Sequence, residues 1–375
     1  MGLRAKLNFR TALGILHASR IPALIAPWTR GQGAIFTLHS VTPDAVRAFE
    51  PNRILKVTPE FLETAIVTVR KLGYDIVSLD EAIARTQSGH PRPFACFTLD
   101  DGYRDNRDHA YPVFKKHNVP FTIYVPADYP DGKGDLWWYV LENAIDKLDR
   151  VRFEIDGKVE VFDAATPEAK TRAFYAVYWP LRARPENELR AGVHAIARQA
   201  GYDPSSLCRD LIMTWDEIRE LAKDPLVTIG AHTCRHLAVA KLSEDDARRE
   251  IVDSIARIEK ELGRPCPHFS FPYGDPCSAD VRDFAIARAL GVTSGVTTRK
   301  NVIRASADVC GLPRISLNGD YQEARFVEVM MTGVPFLLFD AVKAMIRLGK
   351  RILGAGRGVA QPEPAAIRRP GAASI

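Results

Sequence analysis

Short apolar runs alternate with amphipathic stretches over most of the 375-residue chain. Continuous runs of β-branched and aromatic residues are typical of buried parallel strands, and apolar residues at every third or fourth position indicate the helices between them. Strands are predicted at 34–39, 75–78, 93–99, 119–125, 226–231, 269–271, 292–298 and 312–315. This alternation predicts an α/β fold in which about seven strands form a distorted (β/α) barrel.

Helix end signals agree with this alternation. The predicted helix 58–72 begins at Thr58, a residue type that caps helices, and stops before a glycine. The predicted helix 243–263 has a serine cap, acidic residues in its first turn and a glycine at its end. Further helices are predicted at 79–86, 110–117, 279–290 and 321–331.

The segment 128–213 interrupts the alternation and is predicted to be a large α+β insertion. Residues 151–162 alternate around an Asp-Gly pair, which predicts a hairpin, and helical segments follow to about residue 199. An insertion at the functional rim of the barrel indicates a lid or a substrate-binding cap. Trp137 and Trp138 then either stack on a sugar or anchor the insertion on the barrel.

The barrel, with this insertion, is predicted to span residues 31–320. It follows a basic amphipathic segment, 1–30, and precedes C-terminal helices at 321–353 and a tail, 354–375, whose composition predicts disorder. Residues 1–30 hold five Lys or Arg and no acid, and residues 341–375 hold seven Lys or Arg and one Glu. Since the whole chain has a net charge of +5, the part between these ends carries −6.

The charge distribution restricts the partners. An acidic body without a basic stripe argues against nucleic-acid binding. Basic amphipathic ends are typical of segments that lie on an anionic membrane, and no run of about 20 apolar residues predicts a span. The N-terminal segment can also be an organelle transit peptide or a helix that covers the end of the barrel. We expect a cytoplasmic protein with peripheral contact to the inner membrane face.

The six cysteines form no Cys-x-x-Cys pair. In a chain of this length they are predicted to be reduced and mostly buried thiols. A bridge between Cys266 and Cys277 is the alternative.

Candidate chemistry begins at two adjacent carboxylates, Asp100 and Asp101, which follow the strand 93–99 and precede a glycine. In isolation such a pair caps a helix or forms a turn. Because adjacent residues on a strand point to opposite sides, the two aspartates are expected to have different roles.

Two further strand ends carry polar motifs. His232 and His236 follow the strand 226–231, and histidines four apart on a helical turn present both imidazoles to one side. Together with one carboxylate they make a three-ligand metal site. A Pro-Tyr-Gly turn follows the strand 269–271.

These motifs resemble those of the polysaccharide deacetylases with a NodB homology domain, carbohydrate esterase family four. The blocks of that family are Thr-Phe-Asp-Asp-Gly, His-Ser/Thr-x-x-His and Arg-x-Pro-Tyr. Here they stand as Thr98-Leu-Asp-Asp-Gly102, His232-Thr-Cys-Arg-His236 and Ser270-Phe-Pro-Tyr273. The resemblance covers about residues 31–127 and 214–320. It implies a NodB-type barrel that removes N-acetyl groups from an amino sugar in a polysaccharide, an oligosaccharide or a lipid-linked glycan.

The resemblance also implies a divalent metal ion held by Asp101, His232 and His236. Zinc is favoured by this ligand set, which also accepts cobalt, nickel or manganese. Asp100 is then the general base. The Pro272-Tyr273 turn contacts substrate, with the backbone N–H of Tyr273 stabilising the oxyanion.

The sequence departs from the family pattern at two positions. Ser270 stands where the family has the arginine that orients the base, as in a subgroup with aromatic-Pro-Tyr-Gly, and Arg314 on the last strand is predicted to take that role. The family also has a catalytic-acid histidine on a late strand, but no histidine follows His268. Because the first and last strands of a barrel are neighbours, His39 is the candidate acid; the alternative is a structural histidine.

Two other functions share these features. One is hydrolysis of another carbon–nitrogen bond in a small amide, which the same metal site would serve. The other is glycan binding at a membrane by an inactive relative.

Overall fold

Parallel strands form the framework of the protein. The computed structural model describes residues 3–355, without the side chains of residues 3–8, 343 and 346–355. The strands are β1 (Gly33–Leu38), β2 (Ser40–Val41), β3 (Lys56–Val57), β4 (Asp75–Ile76), β5 (Phe94–Leu99), β6 (Phe121–Val125), β7 (Arg150–Ile155), β8 (Lys158–Asp163), β9 (Val227–Ala231), β10 (His268–Ser270), β11 (Ser294–Val296) and β12 (Ile315–Ser316).

Eight of the strands form one parallel sheet in the order β11-β10-β9-β6-β5-β1-β12, with β4 paired to the first residues of β5. The first and last strands are neighbours, since Phe36 of β1 pairs with Ile315 of β12. A parallel bridge between Val296 and Leu312 joins the two ends of the curled sheet. The segment predicted as the strand 312–315 pairs at two separate places, at Leu312 with Val296 and at Ile315 with Phe36. Pro313 between them has no N–H with which to continue the hydrogen-bond ladder.

Helices pack around the sheet or belong to the segment 128–213. They are α1 (Leu3–Ser19), α2 (Ile21–Thr29), α3 (Pro59–Lys71), α4 (Leu79–Ser88), α5 (Tyr111–Lys116), α6 (Trp137–Asp146), α7 (Pro167–Arg182), α8 (Glu186–Gln199), α9 (Leu207–Leu211), α10 (Trp215–Leu221), α11 (Glu244–Leu262), α12 (Val281–Ala289), α13 (Ala324–Met331) and α14 (Val334–Ala355). The predicted caps are present, since Thr58 and Ser243 each accept a backbone N–H of the first turn at 3.1 Å. The curled parallel sheet with its helices confirms the predicted distorted barrel.

Aromatic side chains fill the space between the sheet and the helices. Phe36, Phe97 and Phe114 are buried, and the Phe97 ring lies 5.1 Å from that of Phe36 and 5.7 Å from that of Phe114. Contacts of this kind make the sheet rigid, which matters because the candidate site lies on the turns that leave its strands.

The segment 128–213, predicted to be an insertion, contains α6 to α9 and the hairpin β7–β8. The hairpin turns at Asp156 and Gly157, both with positive φ, as its Asp-Gly pair predicts. The segment has a hydrophobic core of its own, to which Trp137 and Trp138 belong. Both tryptophans are buried, at 0% and 5% exposure, which favours the anchoring role over an exposed stacking surface.

The first two helices of the described chain pack against the last two. Helix α1 lies along α13 and buries Leu13, as expected of a helix that covers the barrel, whereas α2 packs against α14. No helix in the described part of the chain is long and apolar enough to span a membrane. The tail 356–375 and the basic side chains predicted to lie on α14 fall outside the described residues. All six cysteines are free, so the alternative Cys266–Cys277 bridge is absent.

A buried carboxylate fastens the insertion to the barrel. Glu142 of α6 is inaccessible; it accepts the backbone N–H of Asn52 at 3.0 Å and pairs with Arg47. Burial raises the pKa of this carboxyl, and the Asn52 N–H and Arg47 oppose that rise.

We expect Glu142→Ala to lower the free energy of unfolding by about 1–3 kcal/mol, because it leaves the buried Asn52 N–H unpaired. Urea denaturation measures the change. Glu154→Ala is the control: its side chain on β7 is 59% exposed, and the expected change stays within about 0.5 kcal/mol. Equal midpoints for the two variants would contradict the fastening role.

Candidate active site

The predicted site residues meet at the carboxyl ends of the parallel strands. Asp100 follows β5, His39 follows β1, and His232 follows β9. These three residues line one cavity of about 420 Å³, together with His236 and Tyr273. Strands of one parallel sheet end at the same edge, which is why residues far apart in the chain come together here.

Asp101, His232 and His236 form a compact group of metal-ligating atoms. Their ligand atoms all lie within 4.8 Å of one another, and all three residues are buried. One carboxylate oxygen of Asp101, Oδ1, lies 3.2 Å from Nε2 of His236 and 3.6 Å from Nε2 of His232. Two imidazoles and one carboxylate that converge in this way are the donor set of a zinc-type site with open positions.

The protonation states and hydrogen bonds of His232 and Asp101 suit the binding of a cation. Nδ1 of His232 lies 2.6 Å from the carbonyl oxygen of Ser270, and an N–H donated there leaves the lone pair of Nε2 toward Asp101. Burial lowers the pKa of His232 to about 4, so the imidazole is neutral as a ligand must be. Oδ1 of Asp101 is buried and accepts no hydrogen bond from any described residue. Burial would raise the pKa of Asp101, but His236 and the neighbouring histidines lower it, so the carboxylate stays ionised.

The two histidines do not sit on a helical turn, and this expectation from their spacing is wrong. Residues 233–235 form a turn, and both Thr233 and His236 have left-handed backbone conformations, with φ of 61° and 56°. The left-handed residues reverse the chain, so that the imidazole centroids lie 4.9 Å apart.

Backbone strain concentrates at the site. In the described part of the chain seven non-glycine residues have positive φ, and four of them are Asp101, Thr233, His236 and Tyr273. Such conformations cost of the order of 1–3 kcal/mol each and persist where the surrounding structure enforces them. Their clustering here is independent support for a functional site.

Asp100 is held by the buried guanidinium of Arg314. Arg314 donates to the two carboxylate oxygens of Asp100 at 2.8 and 2.6 Å, and both side chains are buried. Burial would raise the pKa of Asp100, but the charge and the hydrogen bonds of Arg314 outweigh it and hold the pKa well below the usual range. Asp100 is therefore an anion at neutral pH.

The remaining donors of Arg314 fix the guanidinium in place. They reach Thr98 Oγ1 at 3.0 Å, the carbonyl oxygen of Thr297 at 2.8 Å and Ser270 Oγ at 3.1 Å. Ser270 stands where the family pattern has an arginine. Here a serine leaves room for the Arg314 side chain and accepts one of its hydrogen bonds, so the contact with Asp100 is made from the segment just before β12.

The other predicted residues lie around this centre. His39 is half-buried, and its charge helps to lower the pKa of both aspartates. Pro272 is buried, whereas Tyr273 is half-buried and its ring centroid lies 4.7 Å from that of His236. His39 is thus a cavity residue and not a residue of the hydrophobic core.

One wall of the cavity comes from α7 of the insertion, which the sequence reasoning did not assign to the site. Tyr178 and Trp179 line the cavity, and Trp179 is 51% exposed. The guanidinium of Arg182 lies 3.6 Å from the centroid of the Tyr273 ring. The available signal was the aromatic run at 174–179, whose i, i+4 spacing places aromatic residues on one side of a helix.

A known protein family matches a segment that includes part of the second half of the barrel. A family model described as polysaccharide deacetylase matches residues 162–295. The matched segment contains His232, His236 and Tyr273, whereas the two aspartates precede it. A search of curated proteins found no match.

Solved structures share the fold. The Streptococcus pyogenes deacetylase PplD, in complex with acetate, is 16% identical; the superposition covers 76% of this chain and 92% of that chain, with a TM-score of 0.51. IcaB from Ammonifex degensii is also 16% identical, over 80% of this chain and 97% of that chain, with a TM-score of 0.50. At such identities the likeness concerns the fold. Together with the match to the family model, it confirms the resemblance predicted from the motifs: this chain is similar to the polysaccharide deacetylases in its fold and over residues 162–295.

Proposed function

We propose that the chain is a metal-dependent hydrolase that removes N-acetyl groups from an amino sugar of a polysaccharide, an oligosaccharide or a lipid-linked glycan. The observation that carries the proposal is the convergence of Asp101, His232 and His236, of which the two histidines line the same cavity as the ionised Asp100. The similar structure of the Streptococcus pyogenes deacetylase holds acetate, the acid that such a reaction releases.

The metal-ligand group supplies the first part of the chemistry. Asp101, His232 and His236 would hold a divalent cation, with zinc favoured by the donor set. When bound, such a cation polarises the acyl carbonyl and makes water more acidic.

The other side chains move protons and stabilise charge. Asp100 accepts a proton from the attacking water, and Arg314 keeps its carboxylate ionised and oriented. The water oxygen bonds to the acetyl carbon, and the backbone N–H of Tyr273 in the Pro272-Tyr273 turn stabilises the oxyanion. The carbon–nitrogen bond then breaks as His39 protonates the departing amine, which leaves acetate and a free amino sugar.

An aromatic ladder supports a glycan longer than one sugar. The indole N–H of Trp137 donates to the hydroxyl of Tyr273 at 2.7 Å, and the Trp137 ring lies 5.1 Å from that of Tyr178. Tyr178 contacts Trp179 at 4.9 Å between ring centroids. The ladder therefore runs from the Pro-Tyr turn to the half-exposed Trp179, and its outer ring offers a face on which a second sugar can stack.

A first prediction for this site separates the metal-ligand role of His236 from the base role of Asp100. We expect His236→Ala to weaken zinc binding by at least 100-fold, because two ligands remain. We expect Asp100→Asn to keep zinc affinity within a few fold and to lower kcat by about 10²–10⁴-fold, because the amide cannot accept the proton. Equilibrium dialysis with zinc and acetate release from an N-acetylglucosamine oligomer measure the two effects.

His194→Ala is the control for this pair of variants. His194 of α8 is partly exposed and contacts Asp135 at 3.1 Å, outside the cavity, so both zinc affinity and turnover should be retained. Full activity of Asp100→Asn would refute the base assignment, and unchanged zinc affinity of His236→Ala would refute the ligand set.

The second prediction concerns the proton donor. We expect His39→Ala to lower kcat for an N-acetyl substrate by at least about 100-fold, but to change hydrolysis of 4-nitrophenyl acetate less than threefold, since nitrophenolate leaves without a proton. His109→Ala, which changes a histidine in a neighbouring cavity, is the matched control. Unchanged turnover of the amide, or equal losses on both substrates, would exclude His39 as the acid.

The third prediction tests the outer end of the ladder. We expect Trp179→Ala to raise KM for a tetramer of N-acetylglucosamine about tenfold, equivalent to about 1.4 kcal/mol, and to leave kcat and the kinetics of the monomer unchanged. Trp179→Phe should retain most of the affinity. Val161→Ala, 60% exposed on β8 of the same insertion, is the control. An equal effect on tetramer and monomer would contradict an extended glycan on this wall.

A further inference from the structure

Helices α2 and α14 pack together at the amino ends of the strands, opposite the candidate active site. Helix α2 ends at Thr29, shortly before β1 begins at Gly33. The hydroxyl of Thr29 donates to the carbonyl oxygen of Thr332 at 2.6 Å, just before α14 begins. The cavity with Asp100 lies at the carboxyl ends of these same parallel strands, so the two surfaces face in opposite directions.

Large apolar side chains are exposed on this surface. Leu24 and Trp28 lie one turn apart on α2 and are 73% and 79% exposed. On α14, Leu338, Val342 and Met345 follow at helical spacing and are also exposed. We call this surface the apolar end face; it comprises Ile21, Leu24, Ile25, Trp28, Leu337, Leu338, Val342 and Met345. Soluble monomers rarely expose so many large apolar side chains on two helices that pack against each other, and exposed apolar surface of this kind marks an interaction site.

Basic residues flank α2, and the sequence is rich in them near both ends of the chain. Arg20 and Arg30 flank α2, and residues 1–30 contain no acid. The chain from 341 to 375 holds seven Lys or Arg and one Glu. Acidic groups nearby are few in the described part: Glu328 pairs with His17 at 2.8 Å, and Asp340 is exposed on α14.

We propose that the apolar end face docks on a bilayer that contains anionic lipid. The exposed leucines, isoleucines and tryptophan would enter the boundary between headgroups and acyl chains, and the flanking arginines would meet the lipid phosphates. The contact is peripheral, since no described helix can cross a membrane. A second copy of the chain is the weaker partner, because pairing two such faces brings their basic ends together, whereas anionic lipid neutralises them.

The proposal goes beyond the proposed function and does not depend on it. With the apolar end face on lipid, the cavity opens away from the bilayer, and the glycan approaches from the aqueous side. The acidic body, which carries −6 between the two basic ends, would favour this orientation near an anionic surface.

Cosedimentation of the full-length protein with vesicles tests the proposal. We expect binding to phosphatidylglycerol-containing vesicles, weaker binding at high salt, and little binding to pure phosphatidylcholine. The double variant L24S/W28S should lower the partition coefficient at least tenfold. Val281→Ser, 78% exposed on α12, is the matched control and should bind like the wild type. Because Leu24, Trp28 and Val281 are exposed, these variants should fold, as circular dichroism can verify.

Quenching by brominated lipid tests the orientation. Trp28 and Trp179 are the two strongly exposed tryptophans. We expect the wild type and Trp179→Phe to lose fluorescence on vesicles with brominated acyl chains, and Trp28→Phe to lose much less. Equal binding of L24S/W28S and Val281→Ser, equal binding to neutral and anionic vesicles, or quenching that needs Trp179 would each overturn the proposal. The proposal would also be overturned if the wild type bound no vesicles but formed a dimer in sedimentation equilibrium, and if L24S/W28S abolished that dimer.

Discussion

The buried pair of Asp100 and Arg314 is the interaction on which the candidate site depends. A carboxylate removed from water is costly unless a partner replaces the lost hydration, and removing one partner of such a pair costs several kcal/mol. Arg314 supplies two hydrogen bonds and a full charge, and Thr98, Thr297 and Ser270 occupy its other donors. The pair therefore connects β5, the turn after β11, β10 and the segment before β12, and it keeps Asp100 ionised beside the group of Asp101, His232 and His236.

The rigid sheet stabilises the strained turns that follow its strands. Asp101, Thr233, His236 and Tyr273 adopt left-handed conformations that bulky side chains avoid in isolation. Each turn leaves a buried parallel strand, so hydrogen bonds and core packing below it enforce the backbone above. The turns in return aim the imidazoles and the carboxylate at one point. The strained turns and the close approach of these side chains therefore have the same cause, namely that the parallel strands all end at one edge of the sheet.

The insertion lies at the end of the barrel with the cavity, and helices α2 and α14 lie at the opposite end. The insertion is fastened through Glu142 and buries Trp137 and Trp138, which leaves Trp179 to form the accessible wall of the cavity. At the other pole, α2 and α14 meet and expose apolar side chains between basic flanks. The proposed glycan site and the proposed membrane contact therefore lie on different surfaces of the protein.

Local patterns by themselves determined much of this protein. Apolar runs, helix caps and the Asp-Gly turn indicated the strands, most helices and the hairpin, because those signals act between residues close in sequence. The aspartate pair, the His-x-x-x-His spacing and the Pro-Tyr-Gly turn indicated the site, and the structure brings them together. Tertiary structure decided the rest. The role of Arg314 beside Asp100 was predicted from the resemblance, and the structure supplies the hydrogen bonds that join these residues across 214 positions. The structure also gives His236 a left-handed conformation, buries Trp137, exposes Trp179 and packs α2 against α14. These outcomes depend on which surfaces pack together, and no short-range pattern encodes that.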